Sequence, residues 1–166
     1  MPALRPLSPA AIPAALQRAE RYRLLGEGDQ AESICLDVLA VEPDRQDAIV
    51  MLILAITDQF RDGGGIAPHA ARAEQLLPRL HDEYARAYYG GVVQERRARA
   101  LLVRGLTSAA RAWLTGALEQ FDRAIALREP GNDEAVLRWN ACVRALNQLP
   151  AHLGEPDEER AVILSE

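Results

Sequence analysis

The sequence predicts an all-α fold, and three observations carry that expectation. Ala, Leu, Arg, Glu and Gln dominate the chain, and these are strong helix formers. β-Branched residues rarely alternate with polar ones, so the period-two signature of a half-buried strand is missing. Proline and glycine cut the chain into seven helix-sized pieces.

The first helix is expected from about Pro13 to Leu25, with Ala15, Ala19 and Tyr22 on one face, and it stops at Gly26. The second opens at Asp29, where Glu32 three residues on suggests a capping box, and turns Ile34, Cys35, Val38 and Leu39 inward before ending ahead of Pro43. The third starts between Asp44 and Asp47 and reaches about Gln59. Its stretch from Ala48 to Ile56 is almost wholly apolar, which calls for cover on several sides. Gly63, Gly64 and Gly65 then make Arg61 to Pro68 the expected point of greatest internal mobility. A fourth helix follows from about Pro68 to Leu77, broken at Pro78. Asp82 caps a long fifth helix reaching Arg104 and Gly105. Thr107 or Ser108 caps a sixth that ends near Arg128. Asn132 caps a seventh that runs to about Leu149, with Val136, Trp139, Val143 and Leu146 inward and Arg138 and Arg144 in water. Residues 1–12 form an N-terminal arm, 13–149 the helical domain, and 150–166 an acidic tail.

Composition narrows the function. The 166 residues are 49% hydrophobic and 26% charged, as in a soluble globular domain. No apolar run approaches the roughly 20 residues of a membrane span, and Met1 to Pro13 contains four prolines and no h-region of a secretory signal. Cys35 and Cys142 stand far apart without metal spacing, which fits a reducing, cytoplasmic setting. The net charge of −5 argues against a general nucleic-acid binder. All 19 basic residues are arginine, a bias that reads as a GC-rich, bacterial-type genome before it reads as a binding surface.

Residues 12–45 carry a more specific pattern. Ala19, Tyr22, Gly26, Ala31, Cys35, Val38 and Pro43 follow one another in the order and spacing of small, aromatic and apolar positions that end in proline. This unit resembles the tetratricopeptide repeat, although Ala15, Arg18 and Val38 replace the family's preferred tryptophan, leucine and alanine. A second unit starts with Ala48, Ile49, Leu52, Ala55 and Ile56 and is interrupted by the glycine stretch before Ala73, Leu77 and Leu80. A third reads as Ala98, Leu101, Gly105, Ala110, Leu114 and Ala117, or in a competing register as Ala117, Phe121 and Ala124. The resemblance implies a right-handed solenoid of about three helix pairs, closed by the seventh helix as a cap.

No catalytic, cofactor or metal motif is present. The glycine triplet lacks the lysine and hydroxyl residue of a phosphate loop, and His69, His81 and His152 lack the spacing of a zinc site. Cys35 falls at a core position and reads as a small hydrophobe. Trp113 and Trp139 likewise read as core residues first. The unusual segment is Tyr84–Arg104, with five arginines against one glutamate. Its Gly90-Gly91 pair costs roughly 1 kcal/mol per residue in a helix, which close packing against another helix would offset.

In a tetratricopeptide array the first helix of each pair lines the concave face. A helical offset of about 100° then selects Leu16, Glu20 and Arg23, then Val50, Leu54 and Thr57, then Glu95, Arg99 and Leu102 with Arg96 alongside. Such a surface suits a peptide or protein partner with acidic residues. The expected function is therefore a protein-binding scaffold without catalysis or cofactor, with Arg96 and Arg99 dispensable for folding. A homodimer built on the fifth and sixth helices is the alternative; a helical enzyme or an RNA binder is a more distant one.

Overall fold

The computed structural model describes residues 1–61 and 65–150. Among them the protein is all-helical: α1 (Ile12–Leu24), α2 (Gly28–Val41), α3 (Gln46–Asp58), α4 (Ile66–Leu76), α5 (Glu83–Val103), α6 (Thr107–Leu127) and α7 (Glu134–Gln148), with no strand. Short 3₁₀ turns occupy Pro9–Ala11, Gln59–Arg61 and Leu77–Arg79, the last placing the expected break at Pro78. Residues 62–64 of the expected mobile stretch, Arg61 to Pro68, and nearly all of the acidic tail, residues 151–166, lie outside the described residues. No described helix is long and apolar enough to cross a membrane.

Local chemistry fixes most boundaries. Gly26 has φ +80°, and the amides of Glu27 and Gly26 bond the carbonyls of Tyr22 and Arg23, closing α1 as a Schellman motif. The Asp82 carboxylate accepts the Ala85 amide at 3.0 Å and caps α5 as expected. At α7 the Asn132 side-chain Oδ1 accepts the Glu134 amide at 3.2 Å, so Asn132 serves the helix start from outside it. The capping box expected at Asp29 and Glu32 is not formed, because α2 starts at Gly28 without a side-chain cap. Glu32 instead accepts from Gln59 at 2.7 Å and from Arg72, joining α2 to the 3₁₀ turn after α3 and to α4. Two longer-range donors hold it where a local backbone amide would have.

Consecutive helices pack as neighbours, and each odd helix also touches the next odd one, α1 on α3, α3 on α5, and α5 on α7. The even helices touch one another marginally at most. Arg23 at the end of α1 meets Asp58 at the end of α3, so these two run parallel. Tyr84, Tyr88 and Glu95 meet Asn132, Glu134 and Arg138 in rising order, so α5 and α7 are parallel too.

Two hydrophobic clusters meet at α5. The first centres on Ile49, Leu52, Ile53, Ile56 and Phe60, with Ile12, Leu16, Cys35 and Val38 around them. The inner face of α1 is thus Ile12, Leu16 and Ala19, with Ala15 and Tyr22 only partly buried at its edge. The second joins Ala87, Val92 and Ala98 of α5 to Ala110, Leu114, Ala117, Phe121 and Ala124 of α6, and to Ala135 and Cys142 of α7. Helices α5 and α6 are antiparallel and close: a Cβ on Gly91 would stand 2.6 Å from Phe121 Cε1, and one on Gly90 would stand 3.4 Å from Gln120 Oε1. This is the compensation expected for the glycine pair. Further along, the Arg97 guanidinium lies 3.8 Å from the centre of the half-buried Trp113 ring.

The inward stripe of α7 corrects the sequence expectation. Ala135 and Cys142 are its fully buried residues, flanked by Trp139, Ala145 and Leu146, while Val136 and Val143 stand aside. Arg138, expected in water, sits on this inward stripe and binds a buried carboxylate.

Candidate functional site

A half-open cavity of about 420 Å³ lies where the odd helices meet. Five arginines line it: Arg23 at the last turn of α1, Arg61 beyond α3, Arg96 and Arg99 on α5, and Arg138 on α7. Thr57, Asp58, Phe60 and Gly26 complete its wall. Each of these positions follows from helix geometry. Arg23 and Asp58 are at helix C-terminal ends that lie side by side because α1 and α3 are parallel. Arg96 and Arg99 are three apart on α5, and Arg138 shares a face with the buried Ala135 and Cys142.

Two carboxylates organise the arginines. Asp58 accepts from Arg23 Nε at 2.6 Å and from Arg96 Nη1 at 2.6 Å. Arg96 Nη1 also reaches the Thr57 hydroxyl at 2.7 Å and the Leu54 carbonyl at 3.1 Å, so one guanidinium clamps the C-terminal end of α3. A cation there complements the helix dipole and offsets the unfavourable placement of Asp58. Glu95 is 1% exposed and accepts from Arg99 Nε at 2.9 Å and from Arg138 Nη1 at 3.0 Å. A buried carboxylate is tolerable only with such pairing.

The electrostatics agree with this geometry. Burial lowers the Arg96 pKa, and although Asp58 opposes this, the charges of Arg23 and Arg138 reinforce it. Burial works against the charge on Arg138, but Glu95 and a hydrogen bond with Tyr88 outweigh it and raise its pKa. Burial also pushes the Cys142 thiol up to about 12, with Glu95 adding to the effect. Burial therefore disfavours the thiolate form of Cys142.

Of the ten residues selected from the sequence, Arg23, Thr57, Arg96 and Arg99 line this cavity. Glu95 sits beneath it, buried rather than in the groove, and Leu54 contributes only its carbonyl. Leu16 belongs to the core, and Glu20 is exposed beside a separate hollow lined by Arg45, Asp47 and Met51. Val50 packs on the first cluster and Leu102 on the second. Arg96, expected to be dispensable for folding, is bonded to three acceptors on α3.

Sequence reasoning missed Asp58, Arg61 and Arg138. The spacing of Arg138 from Cys142 was the available signal, since position i+4 shares its face. Among the described residues no group of three His, Cys, Asp or Glu side chains could hold a metal ion. No family model matches the chain, no curated protein matches it, and no solved structure matches it.

Proposed function

We propose that the chain is a tetratricopeptide-like helical-repeat adaptor that holds an acidic peptide or protein segment in the arginine-lined cavity, without catalysing a reaction. The observation that carries this reading is the cavity itself: on a chain of net charge −5, five guanidinium groups converge on one concavity. Charge-assisted bonds from arginine to carboxylate are about twice as strong as neutral ones, and the half-open wall limits screening.

The repeat part of the reading is supported by spacing. Helix α3 starts and ends 34 residues after α1 does, and the odd helices stand in a row, as a solenoid of stacked pairs requires. The lengthened α4 turn and the 21-residue α5 and α6 make the later pairs divergent. Buried, unpaired Cys35 and Cys142 fit the cytoplasmic setting.

Selection from a random peptide display library tests the reading. Enriched sequences should carry Asp or Glu clusters, and their binding should weaken at least tenfold in Arg99→Gln and on raising salt. Enrichment of uncharged sequences, or undiminished binding to the variant, overturns it.

A further inference from the structure

We infer that the arginine-lined cavity selects a phosphorylated side chain of a protein partner, a phosphoserine or phosphothreonine, over a carboxylate. The inference rests on the reading of this cavity as a site for an anionic peptide. Among the described residues, five guanidinium groups line the cavity, and two carboxylates, Asp58 and Glu95, are bonded to them. Each carboxylate is already shared between two arginines, so neither triad is neutral and both leave positive charge toward the opening. One ligand carboxylate supplies a single charge and is saturated by one planar fork. A phosphate monoester carries about −1.5 to −2 at neutral pH and offers three acceptor oxygens.

Donor direction favours the same ligand. The guanidinium groups arrive from three helices, Arg23 from α1, Arg96 and Arg99 from α5, and Arg138 from α7. Donors converging from several sides match a tetrahedral anion better than a planar one. Arg96 is held by three acceptors and crowded by Arg23 and Arg138, a like-charge arrangement that a dianion would relieve. Nucleic acid would supply phosphates as well, but as a string of them. Five of the 19 arginines gather in this one cavity while the chain as a whole is acidic, at net −5, which suits one phosphate better than a polyanion.

The test uses the full chain and three labelled peptides of one sequence, with serine, glutamate or phosphoserine at the central position, plus a ten-nucleotide single-stranded RNA. Binding is followed by fluorescence anisotropy and by NMR of the arginine Nε–H groups. The phosphoserine peptide should bind at least tenfold more tightly than the glutamate peptide and shift the Arg99 and Arg138 signals. Its advantage should shrink between pH 7.5 and 5.5, as the phosphate loses its second charge with a pKa near 6. In Arg99→Gln, whose side chain is half-exposed, the advantage should fall while the protein remains folded. Equal affinity for phosphoserine and glutamate overturns the phosphate preference and leaves the anion site standing. Failure of every anionic peptide overturns both. Tighter binding of the RNA than of phosphoserine also overturns the inference.

Discussion

Helices α1–α4 and helices α5–α7 bury their surfaces with different materials. The first group packs large aliphatic side chains, Ile49, Leu52, Ile53 and Ile56 on α3 above all. The second packs alanines at Ala87, Ala98, Ala110, Ala117 and Ala124 around Phe121, which is seated on Gly91, with Tyr88 and Leu114 beside it. Volume spread over many branched side chains makes a core in which each loss leaves a cavity. A core of small residues lets backbones approach, and its weak point is any added atom. The arginine cavity lies on the seam, with Arg23 and Asp58 from one group and Arg96, Arg99 and Arg138 from the other.

Truncation should produce the largest effect. Ile53 is fully buried, and Ile53→Ala should cost about 2–5 kcal/mol, while Phe121→Ala should cost about 3–5 kcal/mol. Urea unfolding followed by circular dichroism reads both. A cost under 1 kcal/mol at Phe121 would mean that the alanine seam holds without its ring and would break the contrast.

Enlargement comes next and separates the groups more sharply. Gly91→Ala gains roughly 1 kcal/mol of helix propensity but places a methyl 2.6 Å from Phe121 Cε1. The ring is walled by Tyr88, with centroids 6.0 Å apart, and has little room to move. Overpacking of this kind costs about 1–3 kcal/mol. Adding Phe121→Leu should return part of the loss, giving a favourable coupling in the double-mutant cycle. Additive losses would show that the glycine is needed for something other than ring clearance.

How much was legible from sequence follows the same division. The short helices, the Gly26 stop, the Asp82 cap and the Gly90-Gly91 packing were all readable, because each depends on local chemistry or on one nearby contact. The face of α7 was misjudged because its buried residues, Ala135 and Cys142, are small, whereas Val136 and Val143 look more apolar and are not the ones buried. Arg138 was lost with that face. Glu95 was placed in the groove because nothing local announces that two arginines, one 43 residues away, will neutralise a carboxylate inside the protein. Glu32 shows the converse, a good local cap signal overridden by partners just after α3 and on α4. Four cavity residues were found because an offset along the helix is a local property; Asp58 and Arg138 needed knowledge of which helices run parallel.

Each group contains one buried thiol, Cys35 or Cys142, which allows a matched pH test. Burial pushes both up to about 12 from the ordinary thiol value near 9.0. Between those values the native protein keeps a proton that the unfolded chain releases, so the unfolded state binds fewer protons and stability falls as pH rises. The slope should approach about 1.4 kcal/mol per pH unit for each thiol above roughly pH 9, with full stability below it. Equilibrium unfolding at pH 8, 9 and 10 should show the decline, and Cys35→Ala or Cys142→Ala should each remove about half of the slope. Indifference to both substitutions would place the alkaline loss elsewhere, with the half-buried Tyr89 phenol, also raised by desolvation, as the next group to replace.

The smallest effect is expected at Arg99, and it is informative beside Arg96 on the same helix. Arg99 pairs with Glu95 at i,i+4, its side chain is 42% exposed, and its loss leaves Glu95 still bonded to Arg138. Exposed pairs at this spacing contribute about 0.3–0.5 kcal/mol, so Arg99→Ala should stay under about 1 kcal/mol even with a buried partner. Arg96 is 22% exposed and joins the two groups through the Thr57 hydroxyl, the Leu54 carbonyl and Asp58. Hydrogen bonds to charged groups contribute roughly 1.5–3 kcal/mol, so Arg96→Ala should destabilise clearly more, at about 1–3 kcal/mol after allowance for solvent. Thermal unfolding at low and at 0.5 M salt separates the two, because the Arg99 pair should fade with screening and the Arg96 clamp should not. If Arg99→Ala destabilises as much as Arg96→Ala, the Glu95 triad holds α5 to α7 as firmly as Arg96 holds α5 to α3. The cavity rim would then belong to the framework, and anion binding would have to be probed at Arg61.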